Sequence, residues 1–147
     1  METLRYSVEI NAPREKVWNT MLDAKLWAKW TVAFGPGNSY YEGQWKEGGD
    51  IKFLAPGMGG TKAKVTALRP HEFVAVEHVA VVTHKGTEDT ESEEAKTWVG
   101  ATENYAFTGK NGATQLDIEI KVRPEWVKMN EDGWPKALKL IKELAER

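Results

Sequence analysis

The chain has 147 residues, with 20 Lys and Arg against 22 Asp and Glu, a net charge of -2 at neutral pH and no cysteine. That length fits one domain, residues 1–147, which on folding buries roughly 70% of the surface its unfolded form exposes. There is no basic excess to meet a nucleic-acid backbone, no thiol for a disulfide, a thiolate metal site or a cysteine nucleophile, and no apolar run of the about 18 residues that a membrane span needs.

Leu4, Tyr6, Val8 and Ile10 alternate with Arg5, Ser7 and Glu9, which is the period of a half-buried strand over Leu4–Ile10. Asn11 can act as a helix cap, Pro13 suits a first turn, and Val17, Trp18, Met21 and Leu22 form an apolar stripe, so a short helix is expected from Pro13 to Leu22. Asp23 restarts the pattern, and Leu26, Trp27 and Trp30 share one side of a second short helix over Asp23–Trp30. This elbow is not suited to reading DNA, because Trp and Ala stand where Arg, Asn or Gln would be wanted. From Phe34 onward Gly and Pro punctuate the chain and leave room for three short strands, Ser39–Trp45, Asp50–Leu54 and Lys62–Leu68. Arg69-Pro70-His71 turns into a longer strand, Phe73–Val82.

Gly86–Glu94 carries five acidic residues between Thr87 and Glu94 and reads as a solvated, mobile hairpin tip. Two last strands, Lys96–Thr108 and Thr114–Val122, meet at a turn containing Asn111-Gly112, a strong hairpin signal. At the end, Trp134, Leu138, Ile141 and Ala145 recur at helical spacing opposite Lys136, Lys139, Lys142, Glu143 and Glu146, with Asp132 as the expected cap and Pro135 in the first turn. The order is that of an α+β fold: a curved antiparallel sheet of about seven strands wrapped round a long C-terminal helix, with two short helices after the first strand.

Five segments in this order carry a resemblance: Ile10-Asn11-Ala12-Pro13-Arg14-Glu15-Lys16-Val17-Trp18, Trp27-Ala28-Lys29-Trp30, Glu47-Gly48-Gly49-Asp50-Ile51-Lys52-Phe53, Val65-Thr66-Ala67-Leu68-Arg69-Pro70 and Asp132-Gly133-Trp134-Pro135-Lys136-Ala137-Leu138. Together they make the chain resemble the START-like superfamily, also called SRPBCC or birch-pollen-allergen-like, with its helix-grip fold. Within it the chain looks like the branch related to the activator of the heat-shock chaperone ATPase. The resemblance implies a cavity between sheet and terminal helix. The superfamily's roles run from lipid and hormone carriers to cyclases and hydrolases, so fold alone does not choose among them. The named branch also implies a chaperone partner.

Seven Trp, four Tyr and four Phe are available to fill a core or to line such a cavity. Strand parity turns Leu116, Ile118 and Ile120 inward; pairing across Asn111-Gly112 then turns Ala101, Glu103, Tyr105 and Phe107 the same way. On the strand Phe73–Val82, His78 is expected inward and Glu77 outward. The nominated lining is Trp27, Trp30, Phe34, Phe53, Met58, Val76, His78, Glu103, Tyr105, Phe107, Trp126, Met129, Trp134 and Leu138. Two readings remain for these residues, a packed core with satisfied polar groups or a pocket with Glu103, His78 and Tyr105 as its polar members.

On the second reading the protein is a soluble cytoplasmic binding module for a small apolar or aromatic ligand, without cofactor. The alternative is a cavity enzyme of cyclase, dehydratase or hydrolase type, with Glu103 or His78 as general acid or base and Tyr105 as donor. His71, His78 and His84 lack the spacing of a zinc site, so no metal is expected. The free edges of an open sheet leave room for a homodimer.

Overall fold

The structure, a computed structural model, describes residues 1–147. Its strands are β1 (Glu2–Ile10), β2 (Tyr40–Gly43), β3 (Asp50–Ala55), β4 (Gly59–Arg69), β5 (Phe73–Val82), β6 (Glu88–Asp89), β7 (Thr102–Lys110) and β8 (Ala113–Val122). The helices are α1 (Arg14–Leu22), α2 (Trp27–Thr31), α3 (Glu93–Trp98) and α4 (Val127–Ala145). All pairings are antiparallel, in the order β1-β8-β7-β5-β4-β3-β2, with β6 beside β5. The expected α+β helix-grip architecture is present, with an eighth, two-residue strand.

Register follows from the apolar face of β8. Leu116 sits opposite Val8 and Phe107, Ile118 opposite Tyr6 and Tyr105, and Ile120 opposite Leu4 and Glu103. Cross-strand partners share a face, so Leu116, Ile118 and Ile120, all buried, fix which side of β1 and β7 is covered. The β7–β8 turn uses φ of 51° at Asn111 and 85° at Gly112, the two positive values that suit a tight hairpin.

The helices depart from expectation in four places. The chain before α1 is capped by Pro13 with no side-chain bond, while Asn11 donates its backbone N–H to the Glu146 carboxylate at 2.8 Å. The helical part of the elbow is shorter than Asp23–Trp30, covering only Trp27–Thr31. Of the acidic stretch only Gly86 and Thr87 lie in a hairpin turn, between β5 and β6, and the part after Asp89 leads into a helix. Asp89 accepts from the N–H groups of Glu91 and Ser92 at 3.0 and 3.1 Å, and Ser92 Oγ then caps α3 by accepting from Ala95 N–H at 3.1 Å. Glu93 and Glu94 complement the positive end of the helix and Ala95 is buried beneath it. The last-but-one strand therefore starts at Thr102 rather than Lys96.

The terminal helix begins at Val127, straight after a 3₁₀ turn at Pro124–Trp126, so Asp132 and Pro135 are interior residues and not a cap and first turn. Pro135 has no N–H to give the Glu131 carbonyl, but both residues are on the exposed side, where water can take that bond. Asn130, Gly133, Trp134, Ala137, Leu138, Ile141 and Ala145 form the buried stripe. Gly133 is required by its neighbour: a Cβ there would lie closer than 3.0 Å to two ring atoms of Phe34. Ala137, Leu138, Ile141 and Ala145 join the core with β1 and α1, whereas the earlier turn at Met129–Trp134 faces open space.

Candidate functional site

That space is a cavity of ≈ 420 Å³. Trp27, Trp30 and Phe34 wall one side, Phe53, Leu54 and Thr61 come from β3 and β4, and His78, Glu103, Tyr105, Ile120 and Val122 form the floor on β5, β7 and β8. Met129, Asn130 and Trp134 cover it from α4. Trp134 holds this cover in place by ring packing against Phe34 at 5.1 Å, Tyr105 at 5.8 Å and Trp30 at 5.9 Å, and its indole N–H donates to Asn130 Oδ1 at 3.0 Å. Met58, in the turn between β3 and β4, is 67% exposed and stands at the rim.

The third wall exists because β5 changes partners. Its edge pairs with β7 over Phe73–Glu77 and with β6 at Val81–Val82. Between them, His78 exchanges backbone bonds with Gly100 and Ala101. The space beside this gap is filled by Trp98, the last residue of α3, whose ring lies 5.4 Å from the His78 ring and 4.6 Å from Trp126.

One hydrogen-bonded chain runs across the floor. His78 is 3% exposed; its Nε2 is 2.5 Å from Glu103 Oε2 and its Nδ1 is 3.1 Å from Thr61 Oγ1. The Tyr105 hydroxyl donates to Glu103 Oε1. Thr61 reaches His78 across a slip in the β4–β5 register between Lys62↔Ala80 and Ala63↔His78, a bulge that re-aims the side chains around it. Burial would raise the Glu103 carboxyl, but the bonds from His78 and Tyr105 and the His78 charge outweigh it and hold the group below its ordinary value. Burial and the adjacent Glu103 charge push the Tyr105 hydroxyl well above its ordinary range. The chain therefore presents an ionised carboxylate braced by a phenol that keeps its proton.

Of the nominated residues, Trp27, Trp30, Phe34, Phe53, Met58, His78, Glu103, Tyr105, Met129 and Trp134 line the cavity, and Val76, Phe107, Trp126 and Leu138 do not. Phe107 packs on Trp18 of α1 at 5.2 Å. Val76 is sealed in the core, Leu138 lies a turn beyond Trp134 where the helix has come down on the core, and Trp126 is screened by Trp98. Sequence reasoning missed Thr61, Trp98 and Asn130. Thr61 has the parity of Ala63 and Val65 but lies one residue outside the expected strand; Trp98 falls in a segment expected as strand that is a helix; Asn130 falls before the expected helix start. No group of three or more His, Asp or Glu side chains is placed to hold a metal ion.

Residues 11–146 match the family described as activator of Hsp90 ATPase homolog 1-like protein. The chain belongs to that family. No curated protein matches the sequence. Solved structures with the same fold include MLL2253 from Mesorhizobium loti, 16% identical, with a TM-score of 0.74 over 97% of this chain and 96% of that one. The Aha1 dimer from Colwellia psychrerythraea, a solution structure, is 20% identical with a TM-score of 0.71 over 99% and 97%. DynU16, from the dynemicin biosynthetic locus, is 16% identical with a TM-score of 0.69 over 97% of this chain but 46% of its own. The branch read from the five segments is thus the one the family match assigns. No helix of this family member is long and apolar enough to cross a membrane.

Proposed function

We propose that this activator-homologue-like domain binds a small apolar or aromatic molecule between the sheet and the first turns of α4. The observation that carries the reading is the ≈ 420 Å³ cavity walled by Trp27, Trp30, Trp98 and Trp134 with one polar chain on its floor. Ligand sites are commonly of about 300–1,000 Å³, mostly apolar, with a few fixed polar groups. Withdrawing apolar ligand surface from water contributes roughly 25 cal/mol per Å², enough for micromolar binding by a molecule of two or three rings. The neighbour from the dynemicin locus lends support to a small-molecule role.

Titration with the neutral dye Nile red, followed by dye and Trp fluorescence, tests this. Saturable binding is expected, and Ala101→Phe, which builds a ring into the cavity, is expected to weaken it about tenfold or more while a thermal melt still reports a folded protein. Failure of the wild-type protein to bind the dye or any component of a lipid extract refutes the reading.

The hydrogen-bonded chain supports a second reading, a cavity enzyme. A carboxylate held below its ordinary pKa is a weak proton acceptor near neutral pH, which favours binding over general-base catalysis at Glu103. As to assembly, the Colwellia relative is described as a dimer, and β1 and β2 each keep one edge unpaired here. A homodimer through either edge predicts twice the monomer mass in sedimentation equilibrium. The chaperone partner implied by the family description is tested by co-sedimentation with the chaperone.

A further inference from the structure

The residues lining the cavity include no Lys and no Arg; Glu103 is the one acidic and His78 the one basic side chain among them. At the floor the donors that face Glu103 are already engaged. The Tyr105 O–H goes to Glu103 Oε1 and the His78 Nε2–H to Glu103 Oε2. His78 Nδ1 and the Thr61 hydroxyl share one hydrogen bond of 3.1 Å, whose direction follows the protonation of the ring. What Glu103 and the Tyr105 oxygen leave for a visitor is lone pairs. Glu103 is the member within reach, its side chain 23% exposed against 4% for His78. On the helix side Asn130 gives one amide hydrogen to the Trp126 carbonyl at 2.8 Å and accepts from Trp134 at its oxygen, which leaves it a single N–H.

We infer that the cavity selects apolar ligands that carry a hydrogen-bond donor, such as a phenol, an alcohol or an amine, over carboxylates of the same skeleton. The inference rests on the binding reading above and names its ligand class. A donor from the ligand completes the coordination of a carboxylate that already has two protein donors, and hydrogen bonds to charged groups are among the stronger ones. A ligand carboxylate turned to the floor instead meets a second carboxylate with no Lys or Arg in the lining to answer it, where like charges are held together only at high cost. Turned to the rim, it gains nothing from the floor.

Three probes of one shape separate the possibilities: 2-naphthol, naphthalene and 2-naphthoate, each titrated calorimetrically or by saturation-transfer NMR at pH 8. Naphthol is expected to bind about tenfold or more tighter than naphthalene, with naphthoate no tighter than naphthalene. A smaller naphthol preference, or naphthoate binding as tightly as naphthol, overturns the donor rule while leaving the cavity reading intact. Binding of none of the three removes both. Glu103→Gln, whose amide can donate, is expected to shrink the naphthol-to-naphthoate ratio. Tyr105→Phe, which frees a lone pair of Glu103 without removing its charge, is expected to preserve the order of the three probes, and inversion of that order counts against the assignment to Glu103.

Discussion

Gly133→Ala sets helix propensity against packing, and the structure decides which wins. In the interior of a helix, Ala is favoured over Gly by about 0.5–1 kcal/mol. Here, however, the new Cβ would enter the Phe34 ring at two of its carbons, closer than 3.0 Å. Phe34 cannot simply rotate away, because it packs edge-on to Trp134 at 5.1 Å and forms part of the cavity wall. Overpacking of this kind costs typically about 1–3 kcal/mol, so the net expectation is a loss of about 1 kcal/mol, or roughly 2–4 °C in Tm for a chain of this size. In a Phe34→Ala background the clash is gone and the same substitution should stabilise by about 0.5–1 kcal/mol. Thermal and urea unfolding of the four proteins in this cycle give a coupling between the sites of about 1–3 kcal/mol. Equal stabilisation by Gly133→Ala with and without the Phe34 ring would refute the placement of Phe34 over α4 and, with it, the shape of the cavity mouth.

The floor predicts opposite pH limbs. Because the folded state holds the Glu103 carboxyl below its ordinary value of 4.5, it binds fewer protons than the unfolded chain in that window; the stabilisation is complete above the ordinary value and is lost as pH falls through the folded one. Urea unfolding against pH should show a shallower acid limb for Glu103→Gln, and a wild-type slope in that variant would count against the network. Tyr105 is raised above 10.0, so its stabilisation is complete below that pH and lost as pH rises through the folded value, and Tyr105→Phe should remove this alkaline loss. Ser92→Ala deletes the cap of α3 and should cost about 1 kcal/mol, read as faster hydrogen exchange at Lys96 and Val99, whose N–H groups bond to Ser92 and Ala95 carbonyls. Unchanged exchange there would show that packing of Ala95 alone holds the helix.

Much of the sheet was legible because its pattern is redundant. Leu116, Ile118 and Ile120 alternate with charged residues, and Asn111-Gly112 fixes the register that carries the same face to Glu103 and Tyr105. His78 was harder, since Ala75 and Val81 are nearly as buried as Val74 and Val76; only the charge of Glu77 separates the two faces of β5. The helix limits misled for a definable reason. Gly133 and Pro135 look like boundary residues, but one is a contact requirement of Phe34 and the other sits on the exposed side, where a lost bond is open to solvent. In α3 the signal was present, a Ser followed by two Glu, and a high local charge obscured it. Thr61 meets His78 through a bulge, and single-sequence alternation does not reveal where a ladder skips a residue.

The place where β5 trades β7 for β6 has a consequence for how such a protein diversifies. Trp98 stops that opening as a cork does, by shape alone, and the strand hydrogen bonds run on around it through Gly100 and Ala101. Exchanging the short segment 93–98 can therefore redraw the chamber without re-registering a single rung of the ladder.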